Sequence, residues 1–377
     1  MLLVCMIRDG LAFLIVWEIM SISSFLLVIF ESEKKETLKI GINYLVQMHI
    51  GLVFIMSAFL LAFIQSNSTF GFEGVVIFFT KNQPFLVFFL FFIGFGIKAG
   101  FVPIHTWLPH AHPAAPSHVS GIMSGVMVKL GIYGIIRITL MLTSDLLLIG
   151  EIILIISLLT GIFGILNASI HRDFKKMLAY CTIENIGIIG LGIGLFLIGK
   201  GLNNIPLMII GLSGALLHTL NHSLFKSLLF YSAGSVYQQT HTRDMENLGV
   251  LIHKMPQTAG LFLIGSLAIG GLPPFNGFVS EFIIYGGFIN CFNQVGLVHA
   301  TLMITALASL ALIGGLSLLT FTKTFGVVFL VNPLKKLLHT PKEVSLSMRI
   351  PQYVIVAIIL LIGLFPQLFF NQIIGII

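Results

Sequence analysis

Apolar segments long enough to cross a membrane follow one another along almost the whole of this sequence. A transmembrane helix needs about 20 apolar residues, because each residue advances a helix by about 1.5 Å and the hydrocarbon core is about 30 Å thick. Hydrophobic residues form 57% of the 377 residues and charged residues only 9%, which is typical of polytopic membrane proteins. Lipid offers the backbone no hydrogen-bond partner, so these segments are predicted to be helices.

The sequence therefore predicts an all-α, polytopic membrane protein with about ten whole transmembrane helices and a partial one at 1–7. The predicted spans are 11–30, 42–65, 84–103, 118–141, 149–169, 178–198, 206–234, 258–290, 298–330 and 352–375. Two of them, 84–103 and 258–290, are interrupted by glycine and proline. We expect these two to be discontinuous helices that each cross the membrane once.

Positive charge is unevenly distributed over the connecting loops. Twelve Lys and Arg residues lie on one side and four on the other, so the first side is predicted to be the cytoplasmic side of a cell membrane. The predicted cytoplasmic loops are 31–41, 104–117, 170–177, 235–257 and 331–351. The net charge of +6 is therefore interpreted as a signal for the orientation of the spans in the membrane. The sequence contains no basic cluster interleaved with aromatic residues, so no nucleic-acid partner is predicted.

Ionisable residues inside the spans are the main indication of function. A charge at mid-bilayer costs roughly 2.5–3.5 kcal/mol even on the lower scales, and such residues are functional by default. Glu18, Lys98, Lys129 and Glu281 lie in apolar segments, and Lys98 and Glu281 each accompany a helix break. Broken helices in corresponding positions of two halves indicate a transport site. The alternative for each residue is a structural hydrogen bond to a neighbouring helix.

The segment "LHTLNHSLFKSLLF" places His218, His222 and Lys226 at positions i, i+4 and i+8 of one helix. They share one helical face over about 12 Å. Imidazole titrates near physiological pH, which favours a proton relay, and a polar seam between helices is the structural alternative. A zinc site is a further alternative, but no Glu or Cys completes a usual ligand set, so no metal is predicted.

Other polar residues are secondary candidates. Glu184 lies nearer the cytoplasmic end of its span, either as part of the transport path or in a hydrated mouth, and His105 and His118 border a Pro-rich connection as possible polar links. Lys323 and Glu151 lie near helix ends and are predicted to be interfacial. No phosphate loop, dinucleotide fingerprint, nucleophile elbow or cysteine cluster is present, so no catalytic residue and no cofactor is predicted.

Two internal similarities predict a repeated architecture. "GIKAGFVPIHTWLP" and "GGLPPFNGFVSEF" each combine glycines, a proline break and one ionisable residue, while "VWEIMSISSF" and "CTIENIGIIG" each place a glutamate in a span. We therefore predict two inverted five-helix repeats, each with a broken helix. The first covers 1–141 with its first helix incomplete, the second covers 142–330, and 331–377 holds a cytoplasmic loop and the final helix.

These motifs, together with "HPAAPSHVSGIMSGVMVK", "LNHSLFKSLLFYSAGSV" and "THTRDMENLGVL", resemble a known family. It is the family of antiporter-like proton-translocating subunits of respiratory complex I, Mrp-type cation/proton antiporters and membrane-bound hydrogenases. The hydrogenase-4 and formate hydrogenlyase branch is the most similar. Family members usually have three more spans before the one ending at Ile7 and, in the hydrogenase branch, continue after the last span. A fragment, a split gene product or a misassigned start is therefore expected.

The resemblance implies a role for each matching residue. Glu18 would pair with Lys98 and control when that lysine holds its proton, and Lys129 would pass protons to the centre. His218, His222 and Lys226 would form the central axis, and Glu281 would be the ionisable residue of the second broken helix.

The resemblance also implies partners: other membrane subunits, and through them a peripheral hydrogenase-like or dehydrogenase module. The cargo would be protons, with Na⁺ as an alternative. Two other functions stay open, an Mrp-like cation/proton antiporter subunit and an inactive structural anchor.

Overall fold

The computed structural model describes residues 1–292, 296–334 and 340–375, which form helices joined by short connections. The helices are α1 (Leu2–Met6), α2 (Gly10–Val28), α3 (Lys35–Ser66), α4 (Phe72–Lys81), α5 (Phe85–Ala99), α6 (Leu108–Ala114), α7 (Ser117–Ile122), α8 (Val128–Met141), α9 (Leu146–Ile170), α10 (Phe174–Gly201), α11 (Ile205–Thr240), α12 (Pro256–Ile269), α13 (Asn276–Phe292), α14 (Leu297–Phe325), α15 (Leu346–Leu364) and α16 (Pro366–Ile374). A π-helical turn, Met123–Met127, joins α7 to α8, and a second one, Gly326–Leu330, follows α14.

Eight helical segments within the described ranges are long and apolar enough to cross a membrane. The two interrupted segments, around α5 and at α12–α13, bring the total to the ten predicted spans, and the predicted fold class is confirmed. The prediction of one continuous span at 352–375 is wrong, because the chain leaves the helical conformation at Phe365, before Pro366 begins α16. Residues 335–339 of the predicted loop 331–351, and the terminal 376–377, lie outside the described residues.

Helix α10 is the most deeply buried span, packed between α9 and α11. Glycines allow the backbones of α9 and α10 to approach closely. A Cβ atom placed on Gly187 of α10 would lie 2.6 Å from the Cα of Gly161 and 2.7 Å from the carbonyl oxygen of Ser157. Only glycine fits such a contact, which is how small residues bring membrane helices together. The polar side chains of α10 are therefore held at the centre of the protein.

The first break follows α5, where Gly100 adopts a left-handed conformation with φ +91°. The polar backbone groups of this break find partners in neighbouring elements. The indole nitrogen of Trp107 donates to the carbonyl oxygen of Ile97 at 2.7 Å, and the amide of Val102 donates to the hydroxyl of Thr160 at 3.2 Å. A break inside a membrane protein is tolerated only when its freed groups are satisfied in this way.

The second break, between α12 and α13, has the same local features. Gly271 is left-handed with φ +65°, and each break contains a cis peptide bond before a proline, Pro103 in the first and Pro274 in the second. The division into two repeats stays a prediction, and this pairing of left-handed glycines supports it.

The described residues of all five loops predicted to be cytoplasmic meet at one end of the molecule, which we call the loop end. One residue from each of them lines a common cavity: Glu31, His110, Asp173, Arg243 and Met348. Because this set was defined from the order of the predicted spans along the sequence, its clustering agrees with the predicted alternation of the spans. Which side of a membrane the loop end faces stays a prediction.

The glycine contact between α9 and α10 predicts a large difference between two chemically identical substitutions. Gly187→Ala should destabilise the protein by about 1–3 kcal/mol, because the new methyl group overlaps the α9 backbone. Gly286→Ala in α13 meets no atom within 4 Å and should leave stability unchanged or slightly raised. Thermal unfolding midpoints in detergent measure both effects, and equal midpoints for the two variants would contradict the close packing.

Candidate functional site

Lys98 lies in the last turn of α5 and is 1% exposed. Its ammonium group donates to the hydroxyls of Ser21 at 3.3 Å and Tyr44 at 3.2 Å, and it contacts the sulfur of Met48 at 3.3 Å. The ring centroid of Trp17 lies 6.0 Å away. The C-terminal end of a helix favours a positive charge, so the break, the hydroxyls and the aromatic ring form a polar pocket for this ammonium group.

Glu18 contacts a different residue from the one that the family resemblance implies. Its Oε1 lies 3.0 Å from Nε2 of His49, although the angles are not those of a hydrogen bond. Within the described part of the chain Glu18 forms no ion pair with Lys98, although the two remain within electrostatic reach. The implied direct pairing is thus not formed in this structure. His49 was not among the residues predicted from the sequence, although a histidine in the apolar span 42–65 was a readable signal.

Lys129 is buried at the start of α8, just after the π-helical turn Met123–Met127. Its ammonium group donates to the carbonyl oxygen of Ser124 within that turn. The Ser124 hydroxyl in turn lies 2.8 Å from the hydroxyl of Thr182 on α10. A π-helical turn changes the regular backbone pairing and often occurs at functional sites. Here it places Lys129 and the hydroxyl pair of Ser124 and Thr182 beside α10.

The predicted face of α11 is completely buried. His218 contacts Asn185 on α10 through Nε2 at 3.1 Å and Ser280 on α13 through Nδ1 at 2.9 Å. Lys226 donates to the carbonyl oxygen of Leu178 on α10. The three helices α10, α11 and α13 are therefore joined by polar side chains, as both the relay and the polar-seam interpretations require.

His222 differs from its neighbour because neither ring nitrogen has a hydrogen-bond partner. Lys129, Lys226 and His218 all lie within electrostatic reach of this ring. Leaving a buried polar group unpaired costs about 1–3 kcal/mol, so such a group requires an explanation beyond packing. A ring that exchanges protons with its neighbours provides one.

Two buried carboxyl groups extend the line of ionisable residues beyond α11. Glu184 is 1% exposed, so the interpretation of this residue as a hydrated mouth is wrong. It lies within reach of Lys226 on one side and Glu281 on the other. Glu281 packs against the second break, where a Cβ atom on Gly271 would lie 2.8 Å from its Oε2. Glycine is needed there both for the positive φ and for the space that the carboxyl group fills.

His105 and His118 do not join this line. His105 packs edge-on against Phe163, with ring centroids 4.8 Å apart, and His118 is exposed at the loop-end cavity. In the described ranges neither forms a hydrogen bond with a buried lysine. Lys323 is exposed and donates to the carbonyl oxygen of Ser169, which fits its predicted place near a helix end.

We use the name buried row for the ionisable residues that run from the first break to the second. Its members are Lys98, Lys129, His222, His218, Lys226, Glu184 and Glu281. Between Lys98 and Lys129, the Tyr44 hydroxyl contacts Lys98 and donates to the sulfur of Met127 at 3.5 Å. The fold and this row together define a class of protein: a polytopic membrane protein with ionisable side chains buried between two broken helices.

Comparisons with known proteins show to which family this chain belongs. Residues 8–308 match the family described as "NADH:quinone oxidoreductase/Mrp antiporter, TM". The chain belongs to this family, and the resemblance seen in the sequence is confirmed.

Two curated relatives come from Escherichia coli K12. Hydrogenase-4 component B is 39% identical over 355 residues, which cover 93% of this chain and 53% of that protein. Formate hydrogenlyase subunit 3 is 40% identical over 244 residues, which cover 65% of this chain and 40% of that protein. The chain thus spans about half the length of the curated relatives it matches, or less.

Solved structures show the same fold at low sequence identity. The Mrp complex from Dietzia sp. DQ12-45-1b contains a chain that matches with a TM-score of 0.84 and 20% identity, covering 97% of this chain and 73% of that chain. Respiratory complex I from Thermus thermophilus contains one with a TM-score of 0.80 and 23% identity, with the same coverages.

An amide pair that the sequence analysis also missed fixes α11 to the second break. Asn221 donates to the carbonyl oxygen of Asn276 at 2.7 Å, and the Asn276 amide donates to the Asn221 side-chain oxygen at 3.1 Å. The signal in the sequence was a neutral amide within an apolar span.

This amide pair predicts non-additive losses of stability. Asn221→Ala and Asn276→Ala should each lower the free energy of unfolding by about 1–3 kcal/mol, because each leaves a buried partner unpaired. The double variant should lose little more than either single variant. Thermal unfolding in detergent measures the cycle, with exposed Asn290→Ala as the neutral control. Strictly additive losses would contradict the pairing.

Proposed function

We propose that this chain is a proton-translocating membrane subunit of a redox complex, either hydrogenase-linked of the hydrogenase-4 or formate hydrogenlyase type, or complex I-like. The observation that carries the proposal is the buried row, which joins the two helix breaks through the centre of the protein. The names of the two E. coli relatives favour the hydrogenase-linked type. Family membership supports a membrane location and association with other membrane subunits.

The buried row suggests how a proton would pass through the chain. Lys129 and Lys226 lie within electrostatic reach of each other and of His222. Like charges repel strongly where the dielectric constant is low, so a proton that reaches one of these groups favours release from the next. Glu184 and Glu281 follow Lys226, and each can accept the proton as a carboxylate and become a neutral carboxyl group. Each transfer moves one proton between neighbours.

Glu18 is the proposed switch at the start of the row. In this structure it contacts His49, while Lys98 is held by two neutral hydroxyls. A movement of the Glu18 carboxylate from His49 towards Lys98 would stabilise the ammonium form, and its return would favour proton release towards Lys129. A peripheral hydrogenase-like or dehydrogenase module, acting through other membrane subunits, would drive this movement. The loop end would face the cytoplasm.

Lys98→Met is the direct test of this function. Methionine fills nearly the same volume, so the chain should insert and assemble, while coupled proton movement per electron should fall by about tenfold or more. The measurement uses the purified complex in liposomes with a membrane-potential dye, beside its rate of electron transfer. Lys323→Met removes an exposed lysine from the same chain and should have no effect.

Normal proton movement in Lys98→Met would overturn the proposed function. If Glu18→Gln also had no effect in a fully assembled complex, the structural-anchor interpretation would replace it. If proton movement instead required Na⁺ and no electron transfer, the Mrp-like antiporter interpretation would replace it.

The proposed partners predict the composition of the complex. Purification from native membranes in mild detergent should recover this chain with other membrane subunits and a hydrogenase-like subunit that contains nickel and iron. Mass spectrometry and metal analysis check this result. A complex made only of membrane subunits and free of metal would contradict the hydrogenase-linked type.

A further inference from the structure

The loop end contains a cavity of about 1030 Å³, and part of its wall is the connection between α6 and α7. Pro113, Ala114 and Ala115 line the cavity there. Lys175, at the start of α10, also lines it, although this side chain is only 4% exposed. Its ammonium group donates to the carbonyl oxygen of Ala115 at 2.9 Å. A cationic group thus lies where the cavity meets the protein interior.

His112 lies directly behind this wall and is fully buried. Its ring stacks on Phe230 of α11, with centroids 5.0 Å apart and planes inclined by 16°. Its backbone carbonyl accepts a hydrogen bond from Ser120 at 2.8 Å, so the backbone is fixed. Neither ring nitrogen has a hydrogen-bond partner. A phenyl ring would fill this place without leaving two polar atoms unpaired, so packing alone does not explain a histidine.

The charged and titratable groups around this ring belong to the cavity on one side and to the buried row on the other. Lys175 belongs to the cavity wall, whereas Lys129, Lys226 and His222 belong to the row, and all four lie within electrostatic reach. Burial, followed by the charges of the three lysines, holds the pKa of His112 well below its usual range. The ring is therefore neutral near neutral pH, with one N–H group and one free nitrogen.

We propose that His112 relays protons between the loop-end cavity and the buried row at Lys226 and Lys129. This inference rests on the proposed function and names the connection between that row and the aqueous surface. A proton from the cavity forms a new N–H bond at the free nitrogen, and the N–H bond at the other nitrogen breaks. That second proton passes to the neutral amine of a lysine in the buried row that has already released a proton.

One proton thus enters the ring and one leaves it. The ring is then in its other tautomer, and a half-turn about its Cβ–Cγ bond keeps the ring plane against Phe230 and turns the nitrogen that is now free towards the cavity to accept the next proton. The low proton affinity of the buried ring matters, because a ring that held the added proton firmly would stop the relay.

The test compares two histidines of the same helix. His112→Gln keeps a polar side chain but cannot relay a proton, whereas His110→Gln changes an exposed ring two residues away. In liposomes that contain the whole complex, His112→Gln should lower the membrane potential generated per electron by about tenfold or more, and His110→Gln should leave it unchanged. A normal potential in His112→Gln would overturn the relay.

Chemical rescue separates proton transfer from a structural role. His112→Ala leaves room for an imidazole molecule. Imidazole has two ring nitrogens that can each bind and release a proton, whereas 1-methylimidazole has only one. Imidazole should restore most of the potential in His112→Ala, and 1-methylimidazole should not. Reading the potential, rather than pH, avoids interference from the added bases. Equal rescue by both compounds, or rescue by neither, would overturn the relay.

Lys226→Met, measured in parallel, distinguishes failure of the relay from failure of the proposed function. Loss of potential in Lys226→Met with a normal potential in His112→Gln overturns the relay alone. A normal potential in Lys226→Met overturns the proposed function, and the relay with it.

Discussion

A polar group inside a membrane has to find its partner within the protein, and the structure depends on this constraint. The first break exists because Trp107 and Thr160 take over backbone groups that a continuous helix would satisfy itself. Lys98 is tolerated because Ser21 and Tyr44 surround its ammonium group with hydroxyls. Against that background the unpaired nitrogens of His222 and His112 are exceptions, and the proposed transfers concern these exceptions.

Close helix packing places the ionisable groups where they can act on one another. Glycines at the α9–α10 contact bring two backbones together and leave α10 surrounded by protein. Glu184 on α10 consequently faces Lys226 on α11 in a region of low dielectric constant, where electrostatic interactions are strong. The left-handed Gly271 has the same role at the second break, since the carboxyl group of Glu281 occupies the space of a missing side chain.

The sequence was sufficient to predict both breaks, the residues of the buried row and the spans, apart from the interruption of the last span at Phe365, because hydropathy, proline and ionisable residues can be located along the chain. It could not show which helices face one another. The contact of Glu18 with His49 and the depth of Glu184 depend on packing between distant segments. His112 was one of several histidines in a Pro-rich connection, and only the fold distinguishes its buried ring from exposed His118.

The most direct measurement is made on the unaltered complex. Purified complex in liposomes, supplied with its electron donor in Na⁺-free buffer, should generate a membrane potential and a pH difference that a protonophore abolishes. Both should appear with electron transfer and stop with it. Electron transfer at full rate through an intact, sealed preparation without any potential or pH difference would contradict the central claim that the buried row carries protons across the membrane.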